Sequence, residues 1–198
     1  MKILCFADVH AHKESLDRLV QKAALADILV CAGDLSVFGN GLQKSIQVLA
    51  RTGKTILIIP GNHESEEEVK NLAKSFPRVI PLHKRIYVLG DYVFVGFGEG
   101  GFSLQEPGME AFFKKAQQHL SRDKKIIFVT HAPPYNTTLD YLPWLSEHRG
   151  CQTTVDIIKH IKPVLTICGH FHETSGKSCV IGKSMIINPG PEGKLIKI

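Results

Sequence analysis

At 198 residues the chain fits one domain, 1–198, with enough length to bury a sizeable core. A composition of 43% hydrophobic and 22% charged residues excludes a disordered chain, and the longest apolar runs fall far short of the ~20 residues of a membrane span, so no membrane partner is expected. The formal net charge of +5 suits an anionic substrate or ordinary surface lysines; Lys114-Lys115 and Lys124-Lys125 are isolated pairs, not a nucleic-acid stripe.

The first third alternates strand and helix. An apolar strand at 2–7 leads to a helix near 13–25 with Leu16, Leu19, Val20 and Ala23 on one face. A strand at 27–32 leads to a helix near 41–51, carrying Leu42, Ile46, Leu49 and Ala50. A strand at 54–60 leads to a helix near 65–75, where Ser65 and Glu68 have the spacing of a capping box. This order predicts a parallel sheet with right-handed crossovers. Arg85–Leu89 and Tyr92–Phe97, joined by Gly90-Asp91, read as a hairpin, and a helix follows near 107–120 with Met109, Phe112, Phe113, Ala116 and Leu120 as core. A strand at 125–130 comes next. Residues 132–151 lack periodicity and read either as a substrate flap or as a structural surface loop. Tyr135, Tyr141 and Trp144 lie in that segment and could stack on a base or only hold the loop together. A helix near 152–161, a strand at 163–168 and three strands within 176–198 complete the chain. Cys5, Cys31 and Cys168 lie inside apolar runs and are expected to be buried free thiols. Met1-Lys2 runs straight into the first strand, so a cytoplasmic protein without a signal peptide is expected.

Five polar clusters each close an apolar run: Asp8-Val9-His10, Gly33-Asp34, Gly61-Asn62-His63-Glu64, Thr130-His131 and Gly169-His170-Phe171-His172. They therefore gather at the carboxyl ends of strands, where open α/β sheets bind ligands. Side chains two apart on a strand point the same way, so Asp8 with His10, and His170 with His172, are expected to share a face. Carboxylate, imidazole and amide oxygen form a donor set suited to Mn²⁺, Fe or Zn²⁺. Asp34 has two oxygens and can bridge two ions, and Asn62 adds a neutral oxygen. Each cluster alone is a weak signal; the five together in this order are a strong one.

In these five blocks the chain resembles the calcineurin-like metallophosphoesterase superfamily, over roughly residues 3–190, and Asn188-Pro189-Gly190 is similar to that family's C-terminal turn. The resemblance implies a four-layer αββα sandwich of two mixed β-sheets flanked by helices. It implies two divalent metal ions, Mn²⁺ or Fe with Zn²⁺ as the alternative. One would be held by Asp8, His10, Asp34 and His172, the other by Asp34, Asn62, His131 and His170. His63 is left beside the ions to act on the phosphate or, if protonated, as general acid on the leaving group. Glu64 is expected to be exposed or to orient His63.

The activity expected is hydrolysis of a small phosphate ester by water that the two ions activate. Protein phosphatases of the superfamily carry Gly-Asp-x-x-Asp-Arg-Gly; here Gly33-Asp34 is followed by Leu35-Ser36-Val37-Phe38-Gly39, without the arginine. Thr130–Pro134 and His148-Arg149-Gly150 look more like the small phosphodiesterases related to cyclic-nucleotide phosphodiesterases. A diesterase is therefore expected, with Arg149 as the nearby phosphate-binding cation. The alternatives are a non-catalytic interaction module on the same fold, or a phosphomonoesterase or nuclease of the same superfamily.

Overall fold

The computed structural model describes residues 1–120 and 123–198. In chain order the first half contains β1 (Lys2–Phe6), α1 (Lys13–Ala23), β2 (Ile28–Cys31), α2 (Leu42–Ala50), β3 (Thr55–Ile58), α3 (Glu66–Ala73), β4 (Val79–Pro81), β5 (Arg85–Leu89) and β6 (Tyr92–Phe97). The second half contains α4 (Pro107–Ala116), β7 (Lys125–Thr130), β8 (Tyr141–Leu142), β9 (Glu147–His148), α5 (Gln152–Ile161), β10 (Leu165–Ile167), β11 (Ser178–Ile181), β12 (Ser184–Ile187) and β13 (Lys194–Lys197). Five strands form one sheet in the order β13-β1-β2-β3-β4, parallel except for β13. Six form the other, β11-β12-β10-β7-β6-β5, antiparallel only at its two edges.

Side-chain alternation sets the layering, because residues two apart on a strand face the same side. Leu4 and Phe6 of β1, Leu29 and Cys31 of β2, and Ile56 and Ile58 of β3 join Leu16, Leu19, Leu42, Ile46, Leu49 and Val69 of α1–α3 in one core. The intervening Ile3, Cys5, Ile28, Val30 and Leu57 meet Phe94, Ile127, Val129, Leu165, Ile167 and Ile187 of the second sheet in another. The far face of that sheet, with Val95, Ile126, Phe128 and Ile186, packs on Met109, Phe113, Ile157 and Ile158 of α4 and α5. The result is the four-layer αββα sandwich.

The Ser65–Glu68 capping box forms at the start of α3, and Cys5, Cys31 and Cys168 are buried free thiols. Three elements differ from the sequence reading. β4 extends the first sheet; its three residues, one of them Pro81, carry too short a pattern to read. The final strand, β13, leaves the β11-β12 hairpin and pairs antiparallel with β1. The segment 132–151 is tied down rather than loose. The β8-β9 ladder lies within it, and the fully buried Asp140 carboxylate accepts bonds from the backbone N–H groups of Asn136, Thr137 and Gly150 and from His148 Nδ1 at 2.7–3.0 Å.

Candidate metal centre

The polar clusters meet at the carboxyl ends of β1, β2, β3, β7 and β10, the first three from one sheet and the last two from the other. Asp8, His10 and His172 offer ligand atoms within 4.8 Å of one another; so do Asp34, His131 and His170, and so do His10, Asp34 and His63. Strand alternation does not bring Asp8 beside His10. β1 ends at Phe6, and Asp8 and His10 both take left-handed backbone conformations, with φ of 58° and 49°. Nor do His170 and His172 share a face. His170, at φ 77°, turns to Asn62 and His131, whereas His172 turns to His10. Asp34 is left-handed as well, at φ 53°. Such conformations cost on the order of 1 kcal/mol or more each for a residue with a Cβ, and they cluster where geometry is fixed for function.

Hydrogen bonds fix which nitrogens face inward. His10 Nδ1 donates to the Ser36 carbonyl at 3.0 Å, so its Nε2 lone pair is free and lies 3.1 Å from His172 Nε2. His131 Nδ1 donates to the Ala32 carbonyl at 2.9 Å, and its Nε2 lies 3.1 Å from Asn62 Oδ1 and 3.3 Å from Asp34 Oδ2. His170 Nδ1 lies 3.0 Å from the same Asn62 oxygen. Donor atoms about 2.1 Å from one ion stand about 3 Å apart, so this spacing is what neighbouring ligands of a cation require. His63 differs. Its Nδ1 accepts the Phe38 N–H at 3.2 Å, so the neutral ring carries its proton on Nε2 and has no lone pair there to give an ion.

The electrostatics are those of a cation site. Burial raises the Asp8 carboxyl above its ordinary range. Burial also opposes charge on Asp34, but the hydrogen bond and charge of His131 outweigh it and hold that carboxyl down at about 2. Burial opposes charge on His131 too, yet the bond to and charge of Asp34 push it up to about 9. Burial, then the His131 charge, pushes His170 down to about 3. The same negative surroundings that hold a proton at His131 favour a cation there.

A family described as calcineurin-like phosphoesterase matches residues 1–174. The chain belongs to that family. The uncharacterized protein MJ1162 of Methanocaldococcus jannaschii is 29% identical over 207 residues, spanning 99% of this chain and 91% of the relative. The crystal structure of TT1561 of Thermus thermophilus superimposes with a TM-score of 0.78 at 19% identity, covering 96% of this chain and 90% of that one. A dimetal phosphatase from Danio rerio gives 0.65 at 11% identity, over 94% and 86% of the two chains. Calcineurin-like phosphoesterases use divalent metals to hydrolyse phosphoric esters, and the Asp and His clusters described above are candidate sites for them.

The structural roles of several residues that support the site escaped the sequence reading. Glu64 is neither exposed nor bonded to His63. It is buried and accepts bonds from the backbone N–H groups of Asp34, Ser36 and Gly61 and from Ser36 Oγ at 2.7–3.1 Å, which stitches two ligand loops together. The buried Asn188 donates through Nδ2 to Phe171 O and Thr174 Oγ1, bracing the turn that carries His170 and His172. A Cβ on Gly61 would stand 2.0 Å from Asp34 Oδ1, so this close approach admits only glycine. The motif neighbours of these residues were legible, but the N–H groups they serve are set by the tertiary fold.

A cavity of about 470 Å³ opens beside His170 and His172, walled by Phe102, Leu142, Trp144, Leu145 and Phe171. Of the three loop aromatics, only Trp144 lines it. Tyr135 and Tyr141 pack around His148, with ring centroids 6.2 and 5.2 Å away. Arg149 also lines the cavity, with its guanidinium paired to Glu147 at 2.5 Å.

Proposed function

We propose that the chain, a single domain over 1–198, is a two-metal phosphodiesterase acting on small diesters. In this reading Asp8, His10, Asp34 and His172 hold one divalent ion, and Asp34, Asn62, His131 and His170 the other. The ions are Mn²⁺ or Fe, with Zn²⁺ as the alternative, since the donor set contains no thiolate. The observation that carries the reading is the convergence of both ligand groups on Asp34. Its Oδ2 lies 3.3 Å from His131 Nε2, and His10 also offers a ligand atom within 4.8 Å of the Asp34 carboxylate. The name of the dimetal phosphatase from Danio rerio supports two ions.

When bound, the ions supply Lewis acidity and lower the pKa of coordinated water. The chain's own residues bind and orient. His63 presents Nε2–H toward the ligand cluster, 3.9 Å from Asp34 Oδ2, and donates a hydrogen bond to a phosphoryl oxygen of the substrate. Its Nδ1 is occupied by the Phe38 N–H, so a donor role fits better than proton transfer to the leaving group. Glu64 holds the Asp34 and Gly61 loops in register. A diester carries one negative charge fewer than a monoester and needs less cationic help. This suits a site with no arginine after Asp34 and with Arg149 engaged by Glu147.

The test is elemental analysis after reconstitution with excess Mn²⁺, followed by kcat/KM for a matched aryl diester and aryl monoester. Two ions per chain and a higher value for the diester are expected. Fewer than one ion per chain would sink the metal assignment, and a clear monoester preference would overturn the diesterase while leaving the centre intact.

A further inference from the structure

Among the described residues the three most exposed large apolar side chains are Phe102, Phe38 and Trp144, at 77%, 74% and 70%. All three border the metal centre. The Phe102 ring stands edge-on to His170 with centroids 4.4 Å apart, and the Phe38 ring lies 4.3 Å from His63. Trp144 Nε1 donates to Glu173 Oε1 at 3.1 Å, one residue beyond His172. Single exposed apolar side chains are commonplace, but the three most exposed of the described residues gathered around one candidate centre mark a surface meant to be covered.

Phe102 and Trp144 wall the 470 Å³ cavity together with Leu142, Leu145 and Phe171, and it also reaches His170, His172, Arg149 and Glu173. A cavity of this size accepts a substituent as large as a fused ring system. Its charged groups argue against a second phosphate. Arg149 is paired with Glu147, and the Glu173 carboxylate in the wall repels an anion. The indole is held in place by its bond to that carboxylate, so a flat face is offered without the entropy cost of a free rotor.

We infer that this cavity is the subsite for one ester group of the substrate, and that the group is a neutral aromatic ring seated against Trp144 and Phe102. The inference rests on the diesterase reading and narrows it. The scissile phosphate sits at the metal centre, and the aromatic ester group extends past His170 and His172 into the cavity. Trp144 and Phe102 thereby set specificity among diesters of equal charge.

Two monoanions with tetrahedral phosphorus and no hydrolysable ester bond separate these ideas: diphenylphosphinate and dimethylphosphinate. Trp144 is the only tryptophan in the chain, so its fluorescence reports occupancy of the cavity. With metal-loaded protein, diphenylphosphinate should perturb that emission at a concentration about tenfold or more below that needed for dimethylphosphinate, the scale of one aromatic contact. The Phe102→Ala variant, which keeps the reporter, should lose most of this preference. Trp144→Ala, read by competition against hydrolysis of methyl p-nitrophenyl phosphate, should lose it as well. Equal affinity for the two probes, no binding of either, or a preference that survives in both variants would overturn the subsite. Failure of the diesterase reading shows differently: p-nitrophenyl phosphate is hydrolysed and its methyl ester is not, whatever the fluorescence titration gives.

Discussion

One backbone donor limits what His63 can do. Phe38 N–H occupies Nδ1, so the proton of the neutral ring sits on Nε2, the nitrogen nearer Asp34. Acting as a general acid would need protons on both nitrogens, and the second would collide with the Phe38 donor. In the proposed reaction the imidazole is therefore a hydrogen-bond donor, its ring packed at a tilt 4.3 Å from that of Phe38. His63→Ala should retain its full metal content and lose on the order of 10²-fold in kcat, the scale of one lost transition-state donor. His63→Gln, which keeps an N–H donor, should recover part of that loss. Elemental analysis beside steady-state rates checks both, and rates within a few-fold of wild type with metals intact would remove His63 from the reaction. The clusters that carry the seven proposed ligands and His63 were legible because each closes an apolar run, where a polar side chain has no packing purpose; their division into two ligand sets came from the family resemblance. The roles of Glu64, Asn188 and Asp140 were not legible. Their value lies in which N–H or carbonyl groups they reach across the fold, and no spacing in the chain records that.

The segment 132–151 shows the same limit at the level of an element. Its lack of periodicity left flap and structural loop open, and the structure supplies what periodicity could not: a buried carboxylate as organiser. Asp140 accepts three backbone N–H bonds and one from His148, and Thr174 Oγ1 donates to the neighbouring Leu139 carbonyl. The loop is thus fastened to the turn that carries His172. Asp140→Ala would strand the buried Gly150 N–H, at about 1–3 kcal/mol for a buried donor left unsatisfied, and remove the acceptor of three part-buried donors as well. A loss of at least about 2 kcal/mol is expected, which for a chain of this length lowers Tm by roughly 4–8 °C. Asp140→Asn keeps one acceptor oxygen and should fall in between. Because Trp144 rides on this loop, the alanine variant should also raise KM for aryl diesters more than it changes kcat. A melting temperature unchanged by Asp140→Ala would show that the carboxylate does not organise the segment. The strands and helices themselves were far more legible. Apolar runs and helical spacing over 2–60 and 152–168 matched what formed, whereas β4 and the destination of β13 depend on partners distant in sequence.

At the scale of the molecule, the proposed ligands are divided between the two sheets. Asp8, His10, Asp34 and Asn62 come from loops of the first, and His131, His170 and His172 from loops of the second. The layers are otherwise joined by the apolar core between them, so bound ions would act as a polar clasp at the open end of that core. Ions that bind only the folded chain stabilise it by about 2.7 kcal/mol at a concentration 100 times Kd. For a chain of this length that raises Tm by roughly 5–11 °C. Protein stripped with chelator and then titrated with Mn²⁺ should show this rise, and Asp34→Asn, which weakens the carboxylate shared by both groups, should abolish most of it. The rise should also depend on pH with a definite sign. Beside Asp34, His131 in the metal-free protein holds its proton up to about pH 9, and an ion must displace it. Lowering the pH below about 9 therefore weakens apparent affinity, and the metal-induced gain in Tm should shrink steadily toward acid. Differential scanning calorimetry with and without Mn²⁺ across pH 6 to 9 measures this. A gain in Tm that is absent at every pH, or that grows as pH falls, would contradict a centre built on His131 and Asp34.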